Sequence, residues 1–219
     1  ATSKLITVRF IRCSPGLVAI VCLEYITVMP TRQVTNLSHV LLDRLCYTED
    51  MYFATPPLLR IIDRPADSRH TAGPRSSADI WYVVLHATVG GLSSSLDWLT
   101  TNPNSTVSVH RLIDQNGDIY KIVDDLTVAN HVGYSRIGNK SPNPNALGIE
   151  FVNNNSGRDP YEKPQLISGV NQVVEWQSLY GMLPILSHAQ IDTKGKTDPA
   201  GFPWSTFYRM LYLRLGQLL

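Results

Sequence analysis

Cysteine is scarce in this chain and confined to one end: Cys13, Cys22 and Cys46 are the only three among 219 residues. An odd number without a C-x-x-C spacing argues against a disulfide framework and against a cysteine zinc site. One bridge among them stays open, but small buried hydrophobes are the expected role. An excess of charge of one sign is lacking too. The formal net charge is +1 and only 17% of residues are charged, so neither a nucleic acid nor an anionic membrane is expected as the main partner. No apolar run is long enough to span a bilayer, and no internal repeat or low-complexity tract occurs. What is present is a globular composition, 43% hydrophobic, at a length suited to one domain with a small appendage.

Residues 1–55 form that appendage, an N-terminal extension to which no definite structure is assigned. Lys4, Arg9 and Arg12 precede an apolar run over 17–23 that Glu24 interrupts. The order is loosely that of a secretion signal, yet the apolar core is short and no small-x-small cleavage site follows. A strand or two packed on the main domain is expected instead, with a short amphipathic helix over 35–47 carrying Leu37, Val40, Leu41 and Leu45.

The main domain is expected over 56–219, after a Pro- and Gly-punctuated lead-in. Residues 81–86 read as a strand buried on both faces. Ser93, Ser94 and Ser95 offer a cap for a helix with Leu96, Trp98 and Leu99. Residues 107–113 and 118–123 read as strands of a hairpin around Asn116-Gly117, 130–145 as a polar loop, and 146–152 as another apolar strand. A helix opens at Pro164 and runs to Tyr180, with Gly181 closing it. Residues 182–186 lead into a polar loop, and a terminal helix spans 205–218. The pattern is α/β: a central mixed β-sheet flanked by helices.

The chemistry-bearing residues fall at the ends of these strands. His188 follows the apolar segment 182–186, and Asp198 returns on the loop beyond. His86 ends the strand 81–86. Two strand-end histidines and a loop carboxylate make a three-ligand zinc set with a fourth position open for water. Glu150 lies among Leu147, Ile149, Phe151 and Val152, where burial costs several kcal/mol, of order 2–7, unless the group is paired or functional. Strand alternation could instead send it to solvent. Facing the metal, it would serve as general base and then acid. Lys196, two residues before Asp198, could stabilise an oxyanion, with Lys194 the competing choice. His110 and His131 are either structural or substrate-touching; His39 and His70 carry no functional assignment.

Five segments in this order resemble one family: Val-Val-Leu-His86-Ala-Thr88, Ser108-Val-His-Arg-Leu-Ile-Asp-Gln-Asn-Gly-Asp-Ile-Tyr120, Asn130-His-Val-Gly-Tyr-Ser135, Leu147-Gly-Ile-Glu-Phe151, and His188 with Lys196-Thr-Asp-Pro199. Together they look like the type 2 N-acetylmuramoyl-L-alanine amidases, the family of phage lysozyme-like amidases and peptidoglycan recognition proteins. The resemblance covers roughly 58–213. It implies Zn2+ held by His86, His188 and Asp198, with Glu150 and Lys196 as catalytic pair and Thr88, His110 and His131 lining the cleft. It further implies a muropeptide substrate in bacterial peptidoglycan; wall lysis, as by a phage endolysin, is the expected role, and a monomer is the expected state. Asn130 stands where the family carries Trp before the groove histidine. Two other readings remain: a non-catalytic peptidoglycan-binding module, and a recycling amidase acting on soluble anhydro-muropeptides.

Overall fold

The structure, a computed structural model, describes residues 60–216 apart from 134 and 139. The chain divides into two units, Ala1–Pro56 and Pro57–Leu219, and the described residues belong to the second. The three cysteines, the helix expected over 35–47 and His39 lie outside the described residues.

Among the described residues there are eight strands and four α-helices. The strands are β1 (Ile61–Asp63), β2 (Thr71–Pro74), β3 (Tyr82–Ala87), β4 (Arg111–Ile113), β5 (Ile119–Lys121), β6 (Thr127–Ala129), β7 (Ala146–Phe151) and β8 (Ile185–Ser187). The helices are α1 (Leu92–Thr100), α2 (Lys163–Tyr180), α3 (His188–Ile191) and α4 (Trp204–Gly216). Six strands make one sheet in the order β1-β5-β4-β7-β3-β8, while β2 and β6 pair separately. Only β4 and β5 run antiparallel in the large sheet; β4, β7, β3 and β8 are parallel neighbours. This is the expected mixed sheet with flanking helices.

Each face of the sheet is buried for its own reason. Val83, Leu85, Ile113, Leu147, Ile149 and Phe151 point to one side and pack on α2 and α4 through Val170, Val173, Trp176, Phe207 and Leu211. A side chain of this type, fully withdrawn from water, contributes about 1.5–3 kcal/mol. The approach of α2 is close because Gly169 has no side chain: a Cβ there would lie 2.7 Å from Phe151 Cζ. Leu112, Tyr120 and Ile122 point to the other side, with Leu99 of α1.

Several expectations are corrected. Gly91, not a serine, precedes α1 without a side-chain cap; Ser94 and Ser95 donate back to Gly91 O instead, at 3.0 and 2.8 Å. The strands foreseen over 107–113 and 118–123 are only three residues long, although their hairpin connection is present. The Pro- and Gly-punctuated lead-in holds two short strands, β1 and β2. The loop expected after β8 begins instead as α3.

Candidate active site

Strand register brings the first two residues together. In the parallel pair β3·β7, His86 stands opposite Glu150. Alternation therefore puts both side chains on the face shared by Val84 and Gly148. One strand further, β8 ends at Ser187, and a capping box turns the chain. Ser187 Oγ accepts from Gln190 N at 3.1 Å, and Gln190 Oε1 accepts from Ser187 N at 2.7 Å. This reciprocal cap fixes His188 as the first residue of α3.

The loop beyond is organised by main-chain contacts. Asp192 Oδ2 accepts from the amides of Lys194 and Lys196, each at 2.7 Å. Those bonds, led by the one from Lys196, hold the Asp192 carboxyl below its ordinary range. Ala189 N then donates to Asp198 O at 2.9 Å, drawing the aspartate back beside His188. From the far side Asn155 braces the same loop: it accepts from Ala200 N at 2.6 Å and donates to Thr197 Oγ1 at 3.1 Å.

The result is a triangle of donor atoms. His86 Nδ1 and His188 Nδ1 are 3.0 Å apart. Asp198 Oδ2 is 3.0 Å from the second and 3.3 Å from the first. All three residues are buried, at 1%, 4% and 6% exposure. A tetrahedral ion with ligand bonds of about 2.0–2.1 Å needs donors about 3.3 Å apart, so the spacing fits a divalent cation. Protons cannot satisfy the triangle alone. Whichever Nδ1 atoms carry hydrogen, one edge sets donor against donor or lone pair against lone pair. A cation turns all three contacts favourable.

Ionisation agrees with that role. Burial lowers the His86 pKa to about 4, against the pull of Asp198, so the ring is neutral at pH 7. Burial would raise Asp198, but hydrogen bonds and charge from His188 and His86 outweigh it and hold the carboxyl far below its ordinary range. Glu150 goes the other way. Burial first, then the Asp198 charge, push it well above the usual carboxyl value, while Lys196 opposes. Its Oε2 is buried without a hydrogen-bond partner, so a polar group belongs there. Lys196 itself is exposed while Asp198 is buried.

The three residues expected along the cleft lie differently. Thr88 is half-buried at the end of β3, its Oγ1 donating to Gly90 O at 2.7 Å. His110 has no exposed surface. Its Nδ1 accepts from Gly148 N at 3.0 Å and its Nε2 lies 3.1 Å from Thr127 O, so it is a brace within the sheet rather than part of the cleft wall. His131 is 5% exposed and turns its Nδ1 to His86 Nε2 at 2.9 Å. Two residues were missed. Tyr161 is buried beside the site, its pKa raised by burial, Asp198 and Glu150. Asn155, with the Asn-rich turn after β7, clamps the Asp198 loop. A run of three asparagines at the end of the Glu150 strand was the signal for it.

A cation-sized donor set and an acid with a buried, unpartnered oxygen stand at the carboxyl ends of parallel strands, where α/β folds place a reaction, and this donor set is of the kind found in metal-assisted hydrolases. Comparison with known proteins makes the assignment particular. The sequence profile described as N-acetylmuramoyl-L-alanine amidase matches residues 76–201, and the chain belongs to that family. Among solved structures it is similar to AmpD, at 21% identity and TM-score 0.60 over 70% of this chain and 94% of that one. It is similar to AmiD of E. coli, solved with the substrate anhydro-N-acetylmuramic acid-L-Ala-D-gamma-Glu-L-Lys, at 25% identity and TM-score 0.52, covering 60% of this chain and 57% of AmiD. It also resembles the endolysin LysCS of Clostridium intestinale, at 17% identity and TM-score 0.55, over 70% and 95% of the two chains. No curated protein matches by sequence.

Proposed function

We propose that this chain is a zinc-dependent amidase hydrolysing the bond between the lactyl group of N-acetylmuramic acid and L-alanine of the stem peptide, acting on the bacterial wall as an endolysin does. One observation carries the reading: His86 Nδ1, His188 Nδ1 and Asp198 Oδ2 meet within 3.0–3.3 Å next to the partnerless acid Glu150. Family membership supplies the substrate bond. Zinc held by these three donors would supply Lewis acidity, polarising a carbonyl and acidifying water near neutral pH.

The residues of the chain do the rest. Neutral His86 offers a lone pair and ionised Asp198 offers charge at pH 7, and His188 adds its Nδ1 beside them. Glu150 takes the proton of the attacking water on Oε2 and hands it to the departing L-alanine nitrogen. Its raised proton affinity suits both halves of that task. The Lys196 ammonium balances negative charge gathering on the scissile carbonyl oxygen. Thr88, on the rim, meets the substrate, while Asn155 and Tyr161 keep the Asp198 loop in place. Among the described residues no helix is long and apolar enough to cross a membrane.

A second reading, an amidase of soluble wall fragments, is favoured by the anhydro-muropeptide bound to AmiD. Release of new L-alanine amino groups from intact peptidoglycan and from soluble anhydro-muropeptide, with and without a chelator, tests both. Chelator-sensitive release from intact walls is the expected result. Release from the soluble fragment alone favours the second reading, and release from neither refutes the amidase.

A further inference from the structure

His86 has two ring nitrogens, and the fold commits both. Nδ1 belongs to the donor triangle, and Nε2 lies 2.9 Å from His131 Nδ1. A neutral imidazole carries one proton. For Nδ1 to present its lone pair to a cation, that proton must sit on Nε2 and be accepted there. His131 Nδ1 is the atom in place to accept it.

His131 is held to this task from three directions. Its ring lies over Gly148, where a Cβ would come within 2.8 Å of Nδ1 and 3.0 Å of Cγ. Gly148 is therefore a cradle: any side chain at this position of β7 pushes the ring away from His86. The main chain is pinned as well, since the amides of His131 and Val132 both donate to Asn143 Oδ1 at 3.1 Å. The third constraint is burial beside His110, whose ring stands edge-on to His131 at 5.7 Å between centroids. The second ring nitrogen of His131, Nε2, is buried without a partner, so the hydrogen bond of this ring is the one to His86.

We propose that His131 is a positioning residue. It accepts the Nε2 proton of His86 and so fixes the tautomer and ring angle in which His86 Nδ1 faces His188 and Asp198. The inference rests on the zinc-centre reading and differs from a role in contacting substrate. Partners of this kind are worth about 10–100-fold in metal affinity.

Zinc affinity, measured by chelator competition on the full chain, tests it with His131→Leu, His131→Asn and Gly148→Ala. The asparagine amide oxygen can stand where Nδ1 stands. His131→Leu and Gly148→Ala should weaken zinc binding about 10–100-fold, His131→Asn should stay within a few-fold of the original, and Co2+ absorption bands should shift in the two weakened proteins alone. Unchanged affinity in His131→Leu, or no rescue by asparagine, overturns the role of His131 while leaving the centre intact. An original protein that binds no zinc overturns the centre itself. Should the variants not fold, the imidazole 15N–1H spectrum of the zinc-loaded original protein decides: a proton on His86 Nε2 and none on His131 Nδ1 is expected, and the reverse refutes the proposal.

Discussion

Replacing Glu150 by Gln separates what this residue does for the reaction from what it costs the fold. Its Oε2 is buried without a partner, and burial followed by the Asp198 charge raises its pKa well above the ordinary value. A carboxyl whose folded pKa exceeds its unfolded value, about 4.3, holds its proton more tightly in the native state. Its stabilising contribution is then complete below about pH 4.3 and is lost as pH rises through the folded pKa. An uncompensated buried acceptor costs about 1–3 kcal/mol, more when charged. Gln keeps the shape and removes the charge. The metal-free variant should therefore be more stable near pH 8 by about 1–2 kcal/mol, or roughly 2–8 °C for a chain of this size. Its stability should also fall less steeply with pH above about 4.5. Turnover should drop by ~10²–10⁴ with the proton carrier gone. Thermal unfolding in chelator across this pH range, beside an amide-hydrolysis assay on the zinc-loaded protein, measures both. A variant that is less stable at pH 8 with an unchanged pH slope refutes the buried acid, and near-normal turnover refutes the shuttle.

Lys196→Met should keep full zinc content and lose about 10²–10³ in kcat; metal analysis beside steady-state kinetics checks both halves, and an unchanged rate passes the role to another cation. Gly169→Ala puts a methyl within 2.7 Å of Phe151 Cζ and should cost about 1–3 kcal/mol of overpacking, read as a lower Tm, whereas an unchanged Tm would mean the α2–sheet contact is loose. A chain beginning at Pro57, the start of the second unit, should fold and load zinc to the same stoichiometry; an insoluble product would make the first unit part of the core.

The elements legible in the sequence are those with a period long enough to read. β3 and β7, six residues each and nearly all apolar, announce themselves as buried strands, and α2 carries Pro164 in its first turn and ends at Gly181. β1 is Ile61–Asp63, three residues whose partner β5 lies far along the chain; so short a segment has no periodicity to detect. α3 is also legible, since Ser187 and Gln190 stand at capping-box spacing. For the site, strand ends suggested His86 and His188, but the meeting of His86 with Glu150 comes from the register of two strands, which no local pattern specifies. His110 and His131 show the limit most plainly. Both sit in motif-like segments, yet whether such a ring faces solvent or a neighbouring imidazole depends on Gly148, a residue silent until the strands are paired.

Diffraction from zinc-loaded crystals at the zinc absorption edge tests the central claim most directly. The account predicts one strong anomalous peak bonded to His86 Nδ1, His188 Nδ1 and Asp198 Oδ2. A peak elsewhere, or none at that point in a protein that still cleaves the muramoyl–alanine bond, would contradict it.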